Sequence, residues 1–300
     1  MKRTGTVLPP LINYNSKREL RAFLDERGLG MRKKFGQNFL IDPAARLKLL
    51  EALELQSGDN VWEIGPGLGA MTSGLLERGG RVCAFEIDPA FAAVLRESFG
   101  DYSAFNLVEG DVLKTWSKVK AVAGELFLFG NLPYNIAAVL LADFIEKGRF
   151  FKRVVVTVQQ EVALRMAAKP GSREYSSFSV LCSSVYMVNL LSNIKSTSFY
   201  PVPRVDSRGV RLNLIPCRRI KPGLFYPLVR ALFSSRRKTI RNTLSAFAAS
   251  VIMGRDIPGK DIANEVLNRS GISGNLRPET LGIDEFAALA AFLEEIVTRE

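Results

Sequence analysis

Apolar residues follow two periods along this chain. Between residues 60 and 168, short apolar runs of strand length alternate with stretches of helical spacing. Asn60–Ile64, Arg81–Glu86, Asn106–Val108, Glu125–Phe129 and Val154–Gln159 read as strands. Helices are predicted from about Met71 to Arg78, over Pro89–Glu97, over Ala138–Lys147, and from the fifth strand through Ala168. This alternation predicts an α/β fold with a largely parallel sheet. Val185–Leu190 and Val210–Ile215 predict two closing strands, a hairpin-like antiparallel pair at one edge. After Pro216 only helical spacing remains, broken at Gly254, Pro258-Gly259 and Gly271–Gly274, which predicts a small all-helical C-terminal domain.

Upstream, Ser16 and Glu19 stand three apart ahead of Leu20, Phe23 and Leu24, a capping-box start for a helix that Gly28 and Gly30 stop. A basic-aromatic loop follows, Arg32-Lys33-Lys34-Phe35-Gly36-Gln37-Asn38-Phe39-Leu40. Asp42 at the N-cap and Pro43 in the first turn then open an amphipathic helix to about Leu55. The division expected is an N-terminal extension and helix over 1–30, a sheet domain over 31–217 and a helical domain over 218–300. There is no internal repeat, and residues 1–15 carry no readable signal.

Composition removes several classes. The 300 residues hold no apolar run of transmembrane length and no signal-peptide pattern. Three widely spaced cysteines, Cys83, Cys182 and Cys217, point to a reducing cytoplasm without a disulfide framework. Histidine is absent, which removes histidine-ligated metals, Ser-His-Asp triads and imidazole bases, and no metal is expected. The net charge is +11 and uneven: +7 over residues 1–48, +10 over 201–242, and −6 over the rest. Two basic ends around an acidic centre suggest a polyanion, nucleic acid ahead of an anionic membrane surface. Solvated helix faces would give the same charge runs.

The first strand runs into Val61-Trp62-Glu63-Ile64-Gly65-Pro66-Gly67-Leu68-Gly69-Ala70. Read as Gly65-x-Gly67-x-x-Ala70, this fits a dinucleotide loop. Read as Glu63-x-Gly65-x-Gly67-x-Gly69, it fits the S-adenosylmethionine loop of Rossmann-like methyltransferases. Glu86, 21 residues beyond Gly65, ends the second strand, where a carboxylate can accept both ribose hydroxyls of an adenosine. Asp111 follows the third strand, where it can accept an adenine amino group or cap a helix. These acids stand at successive strand ends, where open α/β sheets bind ligands.

The fourth strand ends in Gly130-Asn131-Leu132-Pro133-Tyr134-Asn135-Ile136. An adenine N6 amino group is a poor nucleophile because its lone pair is delocalised into the ring. The Asn131 side-chain oxygen and the Leu132 carbonyl could accept its hydrogens and localise that pair. Pro133 would stiffen the turn and Tyr134 could stack on the base, worth roughly 1–3 kcal/mol. Transfer from a sulfonium needs alignment more than a strong base, which suits a chain without histidine.

With this string the sequence resembles the KsgA (RsmA) family, the small-subunit ribosomal RNA adenine N6,N6-dimethyltransferases, over about residues 16–300. The resemblance implies a Rossmann-like class I S-adenosylmethionine-dependent methyltransferase sheet with a small helical C-terminal domain. Lys34 through Leu40 is similar to the family's cofactor-contacting loop. Cofactor contacts are thereby implied at Asn38, Leu40, Gly65, Gly67, Glu86, Asp111 and Asn131. The catalytic motif matches Asn131, Leu132, Pro133 and Tyr134. Phe199-Tyr200-Pro201-Val202-Pro203-Arg204-Val205-Asp206-Ser207 is similar to the family's Phe-x-Pro-x-Pro-x-Val-Asp-Ser, which implies that Phe199 faces Tyr134 across a flipped adenine. The segment from Phe233 to Leu244 and Arg277-Pro278-Glu279 resemble the helical domain. Arg236, Arg237, Lys238 and Arg241 are its candidate phosphate contacts, with 237 and 241 expected on one helix face.

The family implies two methyls on each of two adjacent adenines in the 3′-terminal hairpin of 16S rRNA in the 30S subunit, and a cytoplasmic monomer. Departures are few: Ile136-Ala137-Ala138 where hydroxyl residues are commoner, Arg208-Gly209 in place of small apolar residues, and Gln160 where lysine is common. Two rivals remain: an Erm-type 23S rRNA methyltransferase, and a non-catalytic assembly or RNA-binding factor. Arg236-Arg237-Lys238-Thr239 favours the small-subunit group over the first. The intact catalytic string argues against the second. The glycine loop alone also leaves an NAD oxidoreductase open.

Overall fold

The computed structural model describes residues 12–30, 37–120, 123–133, 136–216, 223–235, 237–252 and 257–298. In chain order the elements are α1 (Lys17–Glu26), β1 (Phe39–Leu40), α2 (Pro43–Leu53), β2 (Asn60–Ile64), α3 (Ala70–Glu77), β3 (Arg81–Glu86), α4 (Pro89–Phe99), β4 (Phe105–Glu109), α5 (Val112–Thr115), β5 (Leu126–Asn131), α6 (Ala137–Glu146), β6 (Arg153–Gln159), α7 (Gln160–Ala167), α8 (Ser177–Val185), β7 (Tyr186–Ile194), β8 (Phe199–Tyr200), β9 (Ser207–Leu214), α9 (Phe225–Phe233), α10 (Ile240–Val251), α11 (Gly259–Ser270) and α12 (Ile283–Thr298). The chain sorts into two compact units that interleave in sequence. The first takes residues 1–143, 150–163 and 188–214, the second 144–149, 164–187 and 215–300.

The first unit is built on a seven-stranded sheet of order β4-β3-β2-β5-β6-β9-β7. β2 pairs in parallel with β3 and β5, β3 with β4, and β5 with β6, while β9 runs antiparallel to β6. From β2 the chain builds outward through β3 and β4, then returns to the other side of β2 with β5 and β6. The strand order therefore reverses between β2 and β5, and the crevice beyond their carboxyl ends is where such sheets bind ligands. The near-continuous apolar runs of β2, β5 and β6 are buried along almost their whole length, as parallel strands covered on both faces must be. Leu49, Leu50, Leu53, Leu75, Phe99, Phe105, Phe127 and Val155 form one continuous core.

Local capping explains the helix starts. Asp42 accepts from the Ala44 and Ala45 N–H groups, and Asp88 from that of Ala90, each with proline in the first turn. Ser16 caps α1 by accepting from the Glu19 N–H, as expected. The second half of that capping box is replaced: the Glu19 carboxylate accepts from the Asn13 amide at 3.3 Å. Two elements differ from the expectation. A two-stranded antiparallel ribbon pairs Leu40 with Phe199 and Phe39 with Tyr200, a pairing too short for periodicity to reveal. Helix α8 precedes the expected strand, which spans Tyr186–Ile194. Its residues are buried on nearly every side, so it has no polar stripe to mark its period.

In the second unit, Phe225, Leu228, Val229 and Leu232 of α9 are buried, as are Ile240 and Leu244 of α10 and Phe286 and Leu289 of α12. The Phe233 ring lies 5.8 Å from those of both Tyr175 and Phe286, and the Tyr175 hydroxyl donates to the Leu281 carbonyl at 2.9 Å.

Candidate active site

The glycine turn after β2 is shaped by backbone that β-carbons would obstruct. Gly67 has φ +59°, and a Cβ there would stand 3.0 Å from the Phe39 ring. Gly69 caps α3 at φ +94°, and its Cβ would meet the Phe99 ring at 2.4 Å. The turn is held from outside by the segment before α1. The Tyr14 hydroxyl donates to the Leu68 carbonyl at 2.6 Å, and Leu20, Leu24 and Phe91 pack with Leu68.

Glu86 closes β3 against this turn. One carboxylate oxygen accepts from the Gly67 N–H at 3.0 Å, the other from the Asp88 N–H at 2.9 Å. The side chain is only 4% exposed, and burial pushes its pKa up to about 7 against those hydrogen bonds. Glu63 on β2 accepts from the Thr72 hydroxyl at 2.7 Å. Its burial, reinforced by the charge of Glu86, pushes it up to about 8, so its neutral form dominates at pH 7.

Asn131 ends β5 with both ends of its amide engaged. The Nδ2 group donates to the Asn38 carbonyl at 2.7 Å, and Oδ1 accepts from the Thr157 hydroxyl. A backbone carbonyl cannot donate, so the Asn38 contact identifies the end of the amide facing it as Nδ2 and the end facing Thr157 as Oδ1.

These groups surround one cleft at the carboxyl ends of β2 and β5, part of it open to solvent. Among the described residues it is lined by the expected Asn38, Leu40, Gly65, Gly67, Glu86, Asn131 and Pro133. Its walls also include Phe39 and Glu63, which lie within the quoted loop strings, and Met71, Ile87, Phe91 and Thr157, which no motif singles out. Thr157 left one signal, a hydroxyl within the apolar run Val154-Val155-Val156-Thr157-Val158.

Three expected residues do not line the cleft. Asp111 spends Oδ1 on the Leu113 N–H at 3.0 Å, as the N-cap of α5. Leu132 is buried, and its N–H donates to the Thr157 carbonyl at 3.2 Å. Phe199 is 1% exposed, because pairing with Leu40 in the ribbon turns it into the core. Tyr134 and Arg236 lie outside the described residues. Arg237 and Lys238 are exposed, but α10 begins only at Ile240. The helix face they were expected to share with Arg241 is therefore not formed, since extended backbone at Thr239 separates them from it. The Arg241 guanidinium donates to the Asn264 side chain.

A family model described as ribosomal RNA adenine dimethylase matches residues 28–255. The chain belongs to the ribosomal RNA adenine dimethylase family. A ribosomal RNA small subunit methyltransferase A from Treponema denticola is 44% identical over 289 residues, covering 94% of this chain and 95% of its own. The protein of that name from Treponema pallidum is 42% identical, over 95% and 99% of the two chains. The crystal structure of a dimethyladenosine transferase from Plasmodium falciparum matches with a TM-score of 0.73 at 25% identity, over 85% of this chain and 96% of that one. The 23S rRNA methyltransferase ErmE shares the fold, with a TM-score of 0.61 at 22% identity, over 85% and 99%.

The enzyme is thus an S-adenosylmethionine-dependent rRNA adenine dimethyltransferase on a class I methyltransferase sheet, and the NAD reading of the glycine loop falls away. The cleft fits that cofactor. A buried carboxylate faces it beside a glycine turn, with apolar walls from Phe39, Leu40, Met71 and Phe91. Among the described residues no group of three or more His, Cys, Asp or Glu could hold a metal, and no helix is long and apolar enough to cross a membrane.

Proposed function

We propose that the enzyme methylates N6 twice on each of two adjacent adenines in the 3′-terminal hairpin of 16S rRNA, acting as a cytoplasmic monomer on the 30S subunit. The observation that carries this choice is the 44% identity, over nearly the whole of both chains, to a small-subunit methyltransferase.

Bound S-adenosylmethionine supplies an electrophilic methyl group on a sulfonium. Glu86 would accept from its ribose hydroxyls, with the backbone of Gly65 and Gly67 and the walls at Asn38 and Leu40 completing its seat. Asn131 Oδ1 has a second lone pair beyond the one Thr157 occupies, and this accepts a hydrogen from the target amino group. The Leu132 carbonyl accepts the other. Holding both hydrogens on fixed oxygens turns the nitrogen lone pair toward the methyl group and stabilises the positive charge that develops on nitrogen. As the nitrogen takes the methyl group, the sulfur–methyl bond would break to leave the neutral thioether S-adenosylhomocysteine, and the nitrogen would lose one hydrogen as a proton to solvent, so no strong base is required. Tyr134 stacks on the extruded base. Arg236, Arg237, Lys238 and Arg241 contribute phosphate contacts that position the RNA.

The test is to incubate the protein with labelled S-adenosylmethionine and under-methylated 30S subunits and to map the modified bases. Dimethyladenosine at two adjacent positions of the 3′-terminal hairpin is expected. Label on naked 23S rRNA instead would refute the small-subunit reading in favour of the Erm type.

A further inference from the structure

We propose that Thr157 is a positioning residue for methyl transfer, which locks the Asn131 carboxamide in the orientation that receives the adenine amino group. The inference rests on the role of Asn131 proposed above. β5 and β6 are in register at this point, with Asn131 directly opposite Thr157. Thr157 then grips the catalytic turn twice: its hydroxyl donates to Asn131 Oδ1, and its carbonyl accepts from the Leu132 N–H at 3.2 Å. The side chain is 2% exposed in a strand otherwise buried through valines, yet it lines the cleft. A hydroxyl buried in such a strand is costly unless it is hydrogen-bonded, and its partner here is the oxygen assigned to the substrate.

The two grips separate by substitution. The carbonyl bond belongs to the backbone and survives any side chain. The hydroxyl bond is removed in Thr157→Val, which keeps the branched shape. The amide would then be held only through Nδ2 and the Asn38 carbonyl, free to swing Oδ1 about that hydrogen bond. Removing one of two restraints predicts a partial defect.

The test compares T157V, T157S and N131A on the full-length enzyme with 30S subunits, reading kcat, both KM values, the S-adenosylmethionine Kd and Tm. T157V should lower kcat about tenfold, the equivalent of one hydrogen bond, with Kd and Tm within experimental error of wild type. T157S, which keeps the hydroxyl, should restore kcat to within about twofold. Wild-type kcat in T157V, or a defect confined to Kd or Tm, would overturn the proposal, because the hydroxyl would then only shape the cleft or the strand. N131A separates the layers. Inactive N131A with fully active T157V refutes Thr157 alone, whereas fully active N131A refutes the role of Asn131 itself.

Discussion

Cofactor affinity should depend on pH through Glu86. Its carboxyl is held neutral up to about pH 7 by burial, above the ordinary carboxylate value of 4.5. Ribose hydroxyls donating to it would favour the charged form, so the cofactor binds the ionised side chain and lowers its pKa. Affinity is therefore full above pH 8, and each unit below 7 weakens binding about tenfold, or about 1.4 kcal/mol. Through Glu86 alone, lowering the pH from 8.5 to 5.5 should raise the Kd about thirtyfold, or about 2 kcal/mol. Glu63 on the same cleft loses its charge from about pH 8 downward, which works in the same direction for a cationic ligand. Glu86→Gln separates the two, since it removes only the step near 7. Isothermal titration at pH 6 in two buffers of different ionisation enthalpy gives the proton count directly. Release of about one proton on binding is expected for the wild type, and far less for E86Q. A Kd flat between pH 5.5 and 8.5, or equal proton release by both proteins, would refute the assignment of Glu86 to the ribose.

Glu63 makes a separate prediction for folding. Its raised pKa favours the folded state fully below about pH 4.5, and that contribution declines until it is gone above about 8. Glu63→Gln keeps an acceptor for Thr72 but cannot ionise, so its Tm should match wild type near pH 5 and exceed it near pH 9; scanning calorimetry at both pH values checks this. Tyr14→Phe removes the donor to the Leu68 carbonyl and should cost about 1 kcal/mol in denaturant unfolding, with weaker cofactor binding because the glycine turn loses an outer restraint. Replacing Arg237 and Lys238 together with Ala should leave cofactor Kd unchanged. It should flatten the salt dependence of RNA binding by about 0.7–0.9 in log–log slope for each phosphate no longer neutralised, measured by filter binding across salt concentrations.

What could be read in the sequence divides along the range of the interactions involved. The cap at Asp42, the parallel-strand runs and the glycine turn depend on neighbours within a few residues, and each appears where its local pattern places it. Glu86 is legible too, because the length of one βα unit fixes its distance from the glycine turn. The departures come from interactions that join distant segments. Phe199 looks like a base-stacking residue until its pairing with Leu40, 159 positions away in the chain, turns it into the core. Arg237 and Lys238 share a helix with Arg241 by spacing alone, and lose it to the extended backbone at Thr239.

The catalytic turn combines both kinds of information. Asn131 is legible because its chemistry is written in the string that contains it. The orientation of its amide is set by Asn38 and Thr157, one 93 residues before it and the other 26 after. Only the register of β5 on β6 and the return of the chain past Asn38 bring these partners together. A residue that acts directly on substrate can thus be recognised from its own motif. A residue that acts by holding another announces itself only as a misfit, as Thr157 does by carrying a hydroxyl into a strand of valines. Polar side chains buried in apolar strands beside a catalytic string are therefore the places where such supports should be sought first.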